Sequence, residues 1–339
     1  NRTGRWAGRL VQVQNLPRNY LSELDDARDA VLEYKPNYIE VVYGSVSDTL
    51  SQLIRTAFVP KEGHKFIVAD FSAIEARVIA WLAKEEWRLE VFNTHGKIYE
   101  ASASQMFGVD IKTIVKGHDN YALRQKGKVA ELALGYQGSS GALISMGALN
   151  MGLTEKELPE IVQAWRNSNK RIVDLWYSLG NAAIHVVETC EPVACKGLIL
   201  AREVDLANNV YFLTIELPSK RKLYYANPGL VQNAWGQAAL TYDVMDQTTK
   251  KWTKLDTYGG KLVENVVQAI ARDCLAESII RLTELGHEIV MHIHDEVVIE
   301  APMDVTVESV CDVMGMPVEW AKDLLLKADG YETKYYKKD

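Results

Sequence analysis

The most constraining feature of this sequence is a set of predicted strands in two distant parts of the chain, each set flanking an aspartate. Residues 65–70 (KFIVAD) are typical of a short buried strand that ends at Asp70. Residues 288–293 and 297–301 are two apolar runs separated by His294-Asp295-Glu296, which predicts a β-hairpin with a polar tip. Because helical patterns fill much of the chain in between, we predict an α+β fold with an inserted helical subdomain.

The pattern between these strands is mixed. Ser72, with Glu75 three residues later, has the spacing of a capping box that opens an amphipathic helix directly after Asp70. The remaining predictions are helices over 97–107, 119–137, 154–189 and 261–285, a loop over 139–152, and short strands over 197–256 with a hairpin turning near 247–250.

Composition sets broad limits on the function. The chain has 339 residues, 47% of them hydrophobic and 24% charged, which allows one large domain or two to three subdomains with a sizeable core. No apolar run approaches the roughly 18–20 residues of a membrane span. No pair of cysteines has the C-x-x-C spacing of a zinc site.

The distribution of charge is more informative than its sum. A net charge of −7 argues against nucleic acid at first sight. Basic residues nevertheless cluster at three places: Arg2, Arg5, Arg9 and Arg18; Lys112, Lys116, Arg124, Lys126 and Lys128; and Lys220, Arg221 and Lys222. A protein that holds both metal ions and a polyanion needs acidic and basic zones side by side, so this distribution is compatible with nucleic-acid binding.

Two aspartates at strand ends are the candidate catalytic groups. Asp70 would project from a rigid strand edge, although a plain strand-to-helix turn with Asp and Ser as capping residues explains it equally well. Asp295 lies in a hairpin tip without glycine, which is poor turn chemistry and therefore hints at a functional site. Two such carboxylates could bridge a pair of divalent ions for phosphoryl displacement, and a turn role for both stays open.

A third motif is a cationic stripe. Arg124, Lys128, Leu132 and Tyr136 are spaced by four and therefore follow one side of a predicted helix. Like charges at this spacing cost a helix a few tenths of a kcal/mol, a cost that a bound anion would reverse. The alternative is a solvated basic face that Glu131 partly neutralises.

Three motifs in this order carry a family resemblance. DFSAIEAR (70–77) matches a D-x-S-x-I-E-x-R motif, RQKGKVAELALGY (124–136) matches an R-x3-K-x7-Y motif, and HDE (294–296) matches a third. TGR at 3–5 and VQNLP at 13–17 are similar to a thumb-to-palm junction. On these segments the chain resembles the family A DNA polymerases of the DNA polymerase I type, particularly the phage branch. The resemblance implies a right-hand polymerase fold with an antiparallel palm sheet and inserted helical fingers.

The resemblance also implies catalytic roles. Asp70 and Asp295 would hold two Mg²⁺ ions, for which Mn²⁺ is a substitute, and the Phe71 carbonyl would be a further ligand. Glu296 would be a supporting acid. Lys128 would bind the incoming triphosphate and protonate the pyrophosphate leaving group.

Substrate contacts follow from the same resemblance. Arg124 would bind the triphosphate with Lys128, Tyr136 would stand in the template slot, and Glu75 would be the steric gate against a ribose 2′-hydroxyl. Leu132 stands where the family has an aromatic residue against the sugar, which is a departure that bears on sugar discrimination.

The resemblance assigns the remaining positions to DNA. Arg5 and Gln268 would read minor-groove acceptors, and His294 would lie near the primer terminus. The sequence around Gln268 does not overlay cleanly on the bacterial pattern.

Subdomain limits follow from the resemblance. We expect palm over 1–83 with an insertion at about 18–50, fingers over 84–235, and palm again over 236–339. Nothing in the sequence precedes the TGR segment, so we expect the thumb and exonuclease domains to be absent, and DNA affinity and processivity to be low.

Other functions stay open on sequence alone. A two-metal nuclease would use the same carboxylates but has no role for the cationic stripe. A polymerase fragment could bind DNA yet be inactive without a thumb. An RNA polymerase is disfavoured because Glu75 occupies the gate position. The expected partners are primer–template DNA, dNTPs and a separate thumb or exonuclease portion, with no membrane, in the cytoplasm of a bacterial host or phage-infected cell.

Overall fold

The computed structural model describes residues 3–6, 8, 11–232, 236, 238–246 and 248–338. Arg2 and Arg9 of the first basic cluster, and Gln247 of the predicted hairpin turn, lie outside the described residues. The chain divides into two compact units, which are described separately. The first comprises Asn1–Arg5, Ala73–Asp273 and Pro317–Leu325, and the second comprises Trp6–Ser72, Cys274–Met316 and Leu326–Asp339.

Helices and antiparallel strands both contribute to the fold, which confirms the α+β class. The helices are α1 (Leu24–Leu32), α2 (Pro36–Tyr43), α3 (Val46–Leu53), α4 (Ile74–Ala83), α5 (Glu86–Asn93), α6 (Ile98–Phe107), α7 (Tyr121–Leu134), α8 (Ser140–Ser145), α9 (Leu158–Ser168), α10 (Lys170–Thr189), α11 (Gly259–Glu284) and α12 (Val307–Gly315). The strands are β1 (His64–Phe71), β2 (Val193–Cys195), β3 (Leu198–Asp205), β4 (Val210–Glu216), β5 (Lys222–Gln232), β6 (Ala238–Met245), β7 (Trp252–Thr257), β8 (Glu288–Ile293), β9 (Glu296–Pro302) and β10 (Ala328–Thr333). Among the described residues, no helix combines the length and apolarity that crossing a bilayer requires.

The second unit contains the sheet that joins the two ends of the sequence. Its four antiparallel strands have the order β10-β1-β9-β8, so β1 is central and pairs with both β9 and β10. Phe66 and Val68 of β1 pack with Ile293, Val298 and Tyr336 in one buried cluster. Each such buried side chain contributes about 1.5–3 kcal/mol, which fixes the register that brings Asp70 to one edge of the sheet.

The first unit contains a second sheet and a helical layer. Strands β2 to β7 form a six-stranded antiparallel meander in sequence order. The predicted strands within 197–256, including the hairpin between β6 and β7, are therefore confirmed. Helix α10 packs against this sheet through its buried face, and Trp165 of α9 stacks on Trp176 of α10 at 5.8 Å between ring centroids.

A buried ion pair fixes helix α7 within the first unit. The Arg88 guanidinium donates to both Glu131 carboxylate oxygens, at 2.7 and 2.6 Å, with side chains that are 1% and 6% exposed. Trp165 Nε1 donates to the same carboxylate at 3.0 Å, and Arg88 Nε donates to Asn169. The suggestion that Glu131 partly neutralises the basic face of α7 is therefore wrong, because the Glu131 carboxylate forms a buried ion pair with Arg88.

Several local predictions need correction. The N-cap residue of α4 is Ala73, at φ +52°, and not Ser72, and it makes no side-chain capping hydrogen bond; the Ser72 N–H donates to the Lys327 carbonyl at 2.8 Å. The capping-box prediction is therefore wrong. The predicted loop over 139–152 contains the short helix α8, and the predicted helix over 154–189 is two helices that part at Asn169. The palm and fingers limits at residues 83 and 235 stay predictions.

Candidate active site

Two aspartates that are distant in the sequence meet at one edge of the four-stranded sheet. Asp70 of β1 stands opposite Glu296 of β9 in the antiparallel register. Ile293 pairs with Glu296, so His294 and Asp295 form a two-residue turn, with His294 at φ +57°. The Phe71 N–H donates to the Asp295 carbonyl at 3.2 Å, which ties the end of β1 to this turn. The structure thus brings Asp70, Phe71 and Asp295 together, and their role as metal ligands stays a prediction.

The electrostatics of this edge favour a cation. Burial, and then the neighbouring Asp295 carboxylate, raise the pKa of Asp70 from 3.8 to about 7, while Lys338 opposes the shift. Asp70 Oδ1 is buried and has no hydrogen-bond partner among the described residues. A buried carboxylate oxygen without a partner is costly, and a divalent ion would satisfy it and relieve the like-charge repulsion.

The donor set at this edge therefore fits a hard divalent ion. Two aspartates and a nearby backbone carbonyl offer oxygen ligands, which Mg²⁺ prefers. Within the described ranges, no group of three or more His, Cys, Asp or Glu side chains is arranged to hold a metal ion. Glu296 is therefore not grouped with Asp70 and Asp295 as a third metal-holding carboxylate among the described residues.

Glu296 is held by a separate set of contacts. Its side chain is buried, and its two oxygens accept from the Tyr336 hydroxyl at 2.8 Å and the Lys338 ammonium at 3.3 Å. The Arg55 guanidinium donates to the same Tyr336 hydroxyl at 3.3 Å. Burial and the Glu296 carboxylate raise the pKa of Tyr336, so its hydroxyl stays a donor at neutral pH. Glu296 is thus adjacent to the aspartate pair but tied to other groups.

In the first unit, two of the predicted site residues, Arg5 and Tyr136, converge on a third, Glu75. The Arg5 guanidinium donates to Glu75 Oε1, and the Tyr136 hydroxyl donates to Glu75 Oε2 at 2.7 Å. Burial and the Glu75 carboxylate raise the pKa of Tyr136 well above 10.0, which keeps the phenol protonated. The Glu75 carboxylate therefore links residues from three segments.

A close backbone approach holds Tyr136 in place. Tyr136 lies just beyond α7, which ends at Leu134, so the prediction that it continues the helical stripe is wrong. The turn that contains it abuts the start of α11. A Cβ at Gly260 would lie 2.6 Å from the Tyr136 carbonyl oxygen, and the Gly260 N–H donates to Gln137 Oε1 at 3.0 Å. Only glycine permits this contact.

The remaining part of the cationic stripe lies on α7. Arg124 Nε donates to Glu100 at 2.7 Å, and its guanidinium lies 5.7 Å from the centroid of the Tyr99 ring. Lys128 is half-buried, and within the described part of the chain its side chain has no hydrogen bond or ion pair. Leu132 is 50% exposed. The stripe is thus an accessible apolar and cationic surface on which Lys128 has no such partner among the residues that the structure describes, whereas Arg124 is paired with Glu100.

Arg221 orders the segment that carries Arg5. Its guanidinium donates to the Gly4 carbonyl at 3.1 Å, the Ala269 carbonyl at 2.8 Å and Asp273 at 2.7 Å. This network fixes residues 3–5 against the first half of α11. Gln268, on the same helix, has only a marginal contact with Glu264, at 3.4 Å. Arg5 and Gln268 thus lie in one unit, although no direct hydrogen bond between them is found among the described residues.

His294 faces a cavity in the second unit. It lines a space of about 370 Å³ together with Trp6, Val13 and His292, among others. Trp6 and His292 are in ring contact, with centroids 4.4 Å apart. An aromatic-lined cavity beside the turn that carries Asp295 is a suitable surface for a nucleotide base or sugar.

Sequence reasoning missed several residues of these networks. Tyr336, Lys338 and Arg55 contact Glu296 or its partner, and Glu100 pairs with Arg124. Arg221 was visible only as part of a basic cluster. No local pattern marks these residues, because each acts through a partner distant in the sequence.

The comparisons with known proteins identify the family of the chain. The sequence model of DNA polymerase family A matches residues 2–185. A DNA polymerase of Bacillus phage SP02 is 57% identical over 342 aligned residues, which cover 100% of this chain and 51% of that protein. DNA polymerase I of Caldicellulosiruptor bescii is 30% identical over 114 residues, 34% of this chain and 12% of that protein.

A solved structure supports the fold. The POL domain of Pol1 from M. smegmatis, in complex with DNA primer-template and dNTP, aligns with 84% of this chain and 42% of its own, with a TM-score of 0.52 and 18% identity. This likeness confirms the polymerase fold. The chain spans about half the length of the phage relative. Because the family model covers residues 2–185 of 339, this chain belongs to DNA polymerase family A.

Proposed function

We propose that this chain carries out template-directed DNA synthesis, adding nucleotides from dNTPs to a primer 3′-hydroxyl. The observation that carries the proposal is the aspartate pair, in which Asp70 presents, next to Asp295, a buried oxygen that has no partner in the described part of the chain. Such a pair has no structural benefit of its own, since like charges in a half-buried site destabilise the fold. Primer–template DNA and dNTPs are the proposed partners, and cytoplasm is the proposed location.

Asp70 and Asp295 are the proposed ligands of two Mg²⁺ ions, with the Phe71 carbonyl as a further ligand and Mn²⁺ as a substitute. When bound, these ions lower the pKa of the attacking hydroxyl and offset charge on the phosphates. The protein's own contribution is to hold both carboxylates on a rigid sheet edge, through the Phe71–Asp295 backbone hydrogen bond.

The cations of α7 are the proposed triphosphate ligands. The ion pair of Arg124 with Glu100 uses Nε, so the two terminal nitrogens remain for phosphate oxygens. Lys128, which is unpaired among the described residues, would bind the same triphosphate and donate a proton to the leaving pyrophosphate oxygen. Leu132 offers an apolar surface to the sugar in place of an aromatic ring.

The proposed roles of the remaining residues follow the same logic. Tyr136 would guard the template slot, held by its hydrogen bond to Glu75. Arg5 and Gln268 would donate to minor-groove acceptors, which are similar for all correct base pairs. His294 would contact the primer terminus from the β8–β9 turn. A separate thumb or exonuclease partner stays a prediction.

Glu75→Ala should raise the use of ribonucleotides. The Glu75 carboxylate, fixed by Arg5 and Tyr136, would exclude a 2′-hydroxyl, and its removal should raise kcat/KM for rNTPs by roughly 10–100-fold relative to dNTPs. Single-nucleotide incorporation with each substrate measures this ratio. Tyr136→Phe, which loses only the hydroxyl donor, is the matched control and should have a smaller effect. An unchanged rNTP/dNTP ratio in Glu75→Ala would show that the gate assignment is wrong.

The pH dependence of metal binding should follow the raised pKa of Asp70. Because this pKa is about 7 in the fold against an ordinary 3.8, the metal-free protein holds a proton there that the unfolded chain has lost. Metal-free stability should therefore fall as pH rises from about 4 to 7. Mn²⁺ affinity should rise roughly tenfold per pH unit below 7 and level off above it. Calorimetric titration with Mn²⁺ at several pH values across this range measures the slope of Mn²⁺ affinity against pH. The slope should be lost in Asp70→Asn.

Primer extension tests the proposed function as a whole. A labelled primer annealed to templates of different sequence is incubated with Mg²⁺ and dNTPs, alongside Asp70→Ala and Asp295→Ala. Template-dependent lengthening that both variants lose supports the proposal. Primer shortening would instead indicate a two-metal nuclease, and a bound but unchanged primer would indicate a fragment that is inactive without a thumb.

A further inference from the structure

The segment 334–338 donates hydrogen bonds to both carboxylate oxygens of Glu296. Tyr336 donates to Oε1 at 2.8 Å and Lys338 to Oε2 at 3.3 Å. The Lys338 side chain is 22% exposed and that of Glu296 is 4% exposed, so this pair is largely shielded from water. A carboxylate whose two oxygens are both engaged cannot also turn toward Asp70 and Asp295 without losing these bonds.

Tyr336 anchors this segment to the four-stranded sheet. The Tyr336 ring belongs to the buried cluster with Phe66 and Val298 of the same sheet. Its N–H donates to the Phe58 carbonyl at 2.9 Å, and its hydroxyl accepts from Arg55 at 3.3 Å. The position of Tyr336 is thus fixed by packing as well as by hydrogen bonds.

Helix α1 and the residues before it contact this segment and together form its bracket. The Tyr335 hydroxyl donates to Asp25 at 2.8 Å, and Lys334 pairs with the same carboxylate at 3.1 Å. The Arg28 guanidinium lies 4.4 Å from the centroid of the Tyr335 ring. The Lys338 N–H donates to Asn19 Oδ1 at 3.3 Å. The 18–50 region, which the sequence suggests is an insertion, thus holds the segment that reaches Glu296.

We propose that Tyr336 and Lys338 are positioning residues that keep Glu296 turned away from the aspartate pair, with the 18–50 region as their bracket. They would restrict the divalent-ion site to Asp70 and Asp295, and Lys338 would offset part of the local negative charge. The inference rests on the proposed function of the aspartate pair. The finding that no three carboxylates are grouped for metal binding among the described residues agrees with it.

Loss of Lys338 should have opposite effects on binding and turnover. With its oxygen released and one cation removed, Glu296 can turn toward the bound ions, which therefore bind more tightly. The additional ligand would also weaken the ability of the ions to act on the substrate, which lowers kcat. A residue that only stabilised the fold would instead weaken metal binding and turnover together.

The test compares Lys338→Gln with the parent chain by Mn²⁺ electron paramagnetic resonance at pH 8.5, without DNA or nucleotide. We expect Mn²⁺ to bind at least about threefold tighter. In primer extension kcat should fall roughly tenfold, with KM for dNTP within about twofold. Lys338→Arg should restore both values. Lys337→Gln, the same charge change one residue away, should alter neither.

Unchanged or weaker Mn²⁺ binding in Lys338→Gln would overturn the proposal, as would failure of Lys338→Arg to restore it. Thermal unfolding monitors the fold, and if Lys338→Gln is not folded, Tyr336→Phe decides. It keeps the buried ring, removes the hydroxyl that donates to Glu296 and accepts from Arg55, and should shift Mn²⁺ affinity in the same direction. Since Mn²⁺ binding is measured without DNA, a parent chain that binds Mn²⁺ but extends no primer would contradict the proposed function and not this inference.

Discussion

Replacing either Asp70 or Asp295 by asparagine is expected to lower kcat of primer extension by at least ~10³-fold. The loss corresponds to about 4 kcal/mol of transition-state stabilisation, the scale of losing a metal-held charge at the reacting phosphate. Asparagine keeps the volume and an oxygen but removes the charge that attracts a divalent ion. DNA affinity, measured by fluorescence anisotropy, should stay within about threefold, because phosphate contacts come from cations elsewhere.

The matched control is Asp304→Asn, an exposed aspartate in the turn after β9 of the same sheet. It should leave kcat within about twofold, since surface charges are screened by solvent. If the Asp70 and Asp295 variants kept more than a tenth of the parent kcat, the assignment of these carboxylates to the metal ions would be wrong.

The second large effect is on stability. Arg88→Met should lower the free energy of unfolding by about 3–5 kcal/mol, because it leaves the Glu131 carboxylate buried without its cation. Helix α7 carries both Glu131 and the proposed triphosphate ligands, so KM for dNTP should rise as well. Urea unfolding followed by tryptophan fluorescence reports on this region, since Trp165 contacts the same carboxylate.

Arg171→Met provides the comparison, because it breaks the exposed pair with Glu86, whose side chains are 47% and 78% exposed. Exposed pairs contribute about 0–1 kcal/mol, so its unfolding midpoint should barely move. Equal losses in the two variants would contradict a special role for the buried pair. The double variant Arg88→Met, Glu131→Leu should recover part of the stability, since it removes the unpaired charge.

The sequence predicted the parts of the fold that depend on local pattern. The apolar runs at 65–70, 288–293 and 297–301 are strands, and their shared sheet brings Asp70 and Asp295 together. Short continuous apolar runs and a short polar turn between two of them are strong local signals, so the elements were recognisable. Assigning them to one site required the motifs and their order, because turn chemistry alone explains each aspartate.

Predictions from local sequence spacing failed where a side chain forms a hydrogen bond or ion pair with a residue distant in the sequence. Glu75 has the spacing of a capping-box residue, yet its carboxylate accepts from Arg5 and Tyr136. Glu131 lies one turn from Lys128 and two turns from Arg124, yet it faces inward to Arg88. In both cases tertiary contacts outweigh the weak i,i+3 and i,i+4 interactions of a helix, which are worth only about 0.2–0.5 kcal/mol.

The contacts of residues 331–339 could not be predicted from local pattern. Nothing in YETKYYKKD marks Tyr336 as a buried residue or Lys338 as a partner of Glu296. Both contacts depend on the antiparallel pairing of β1 with β9 and β10, which brings these segments together. Positioning residues of this kind become visible only once the sheet register is known.

The claim that Asp70 and Asp295 act as one site is tested most directly by a double-mutant cycle on kcat. Residues that hold the same ions are not additive, so Asp70→Asn, Asp295→Asn together should lose at most about tenfold more than either single variant. If the double variant instead lost roughly the product of the two single losses, about 10⁶-fold, the two carboxylates would act independently and the shared metal site would be refuted.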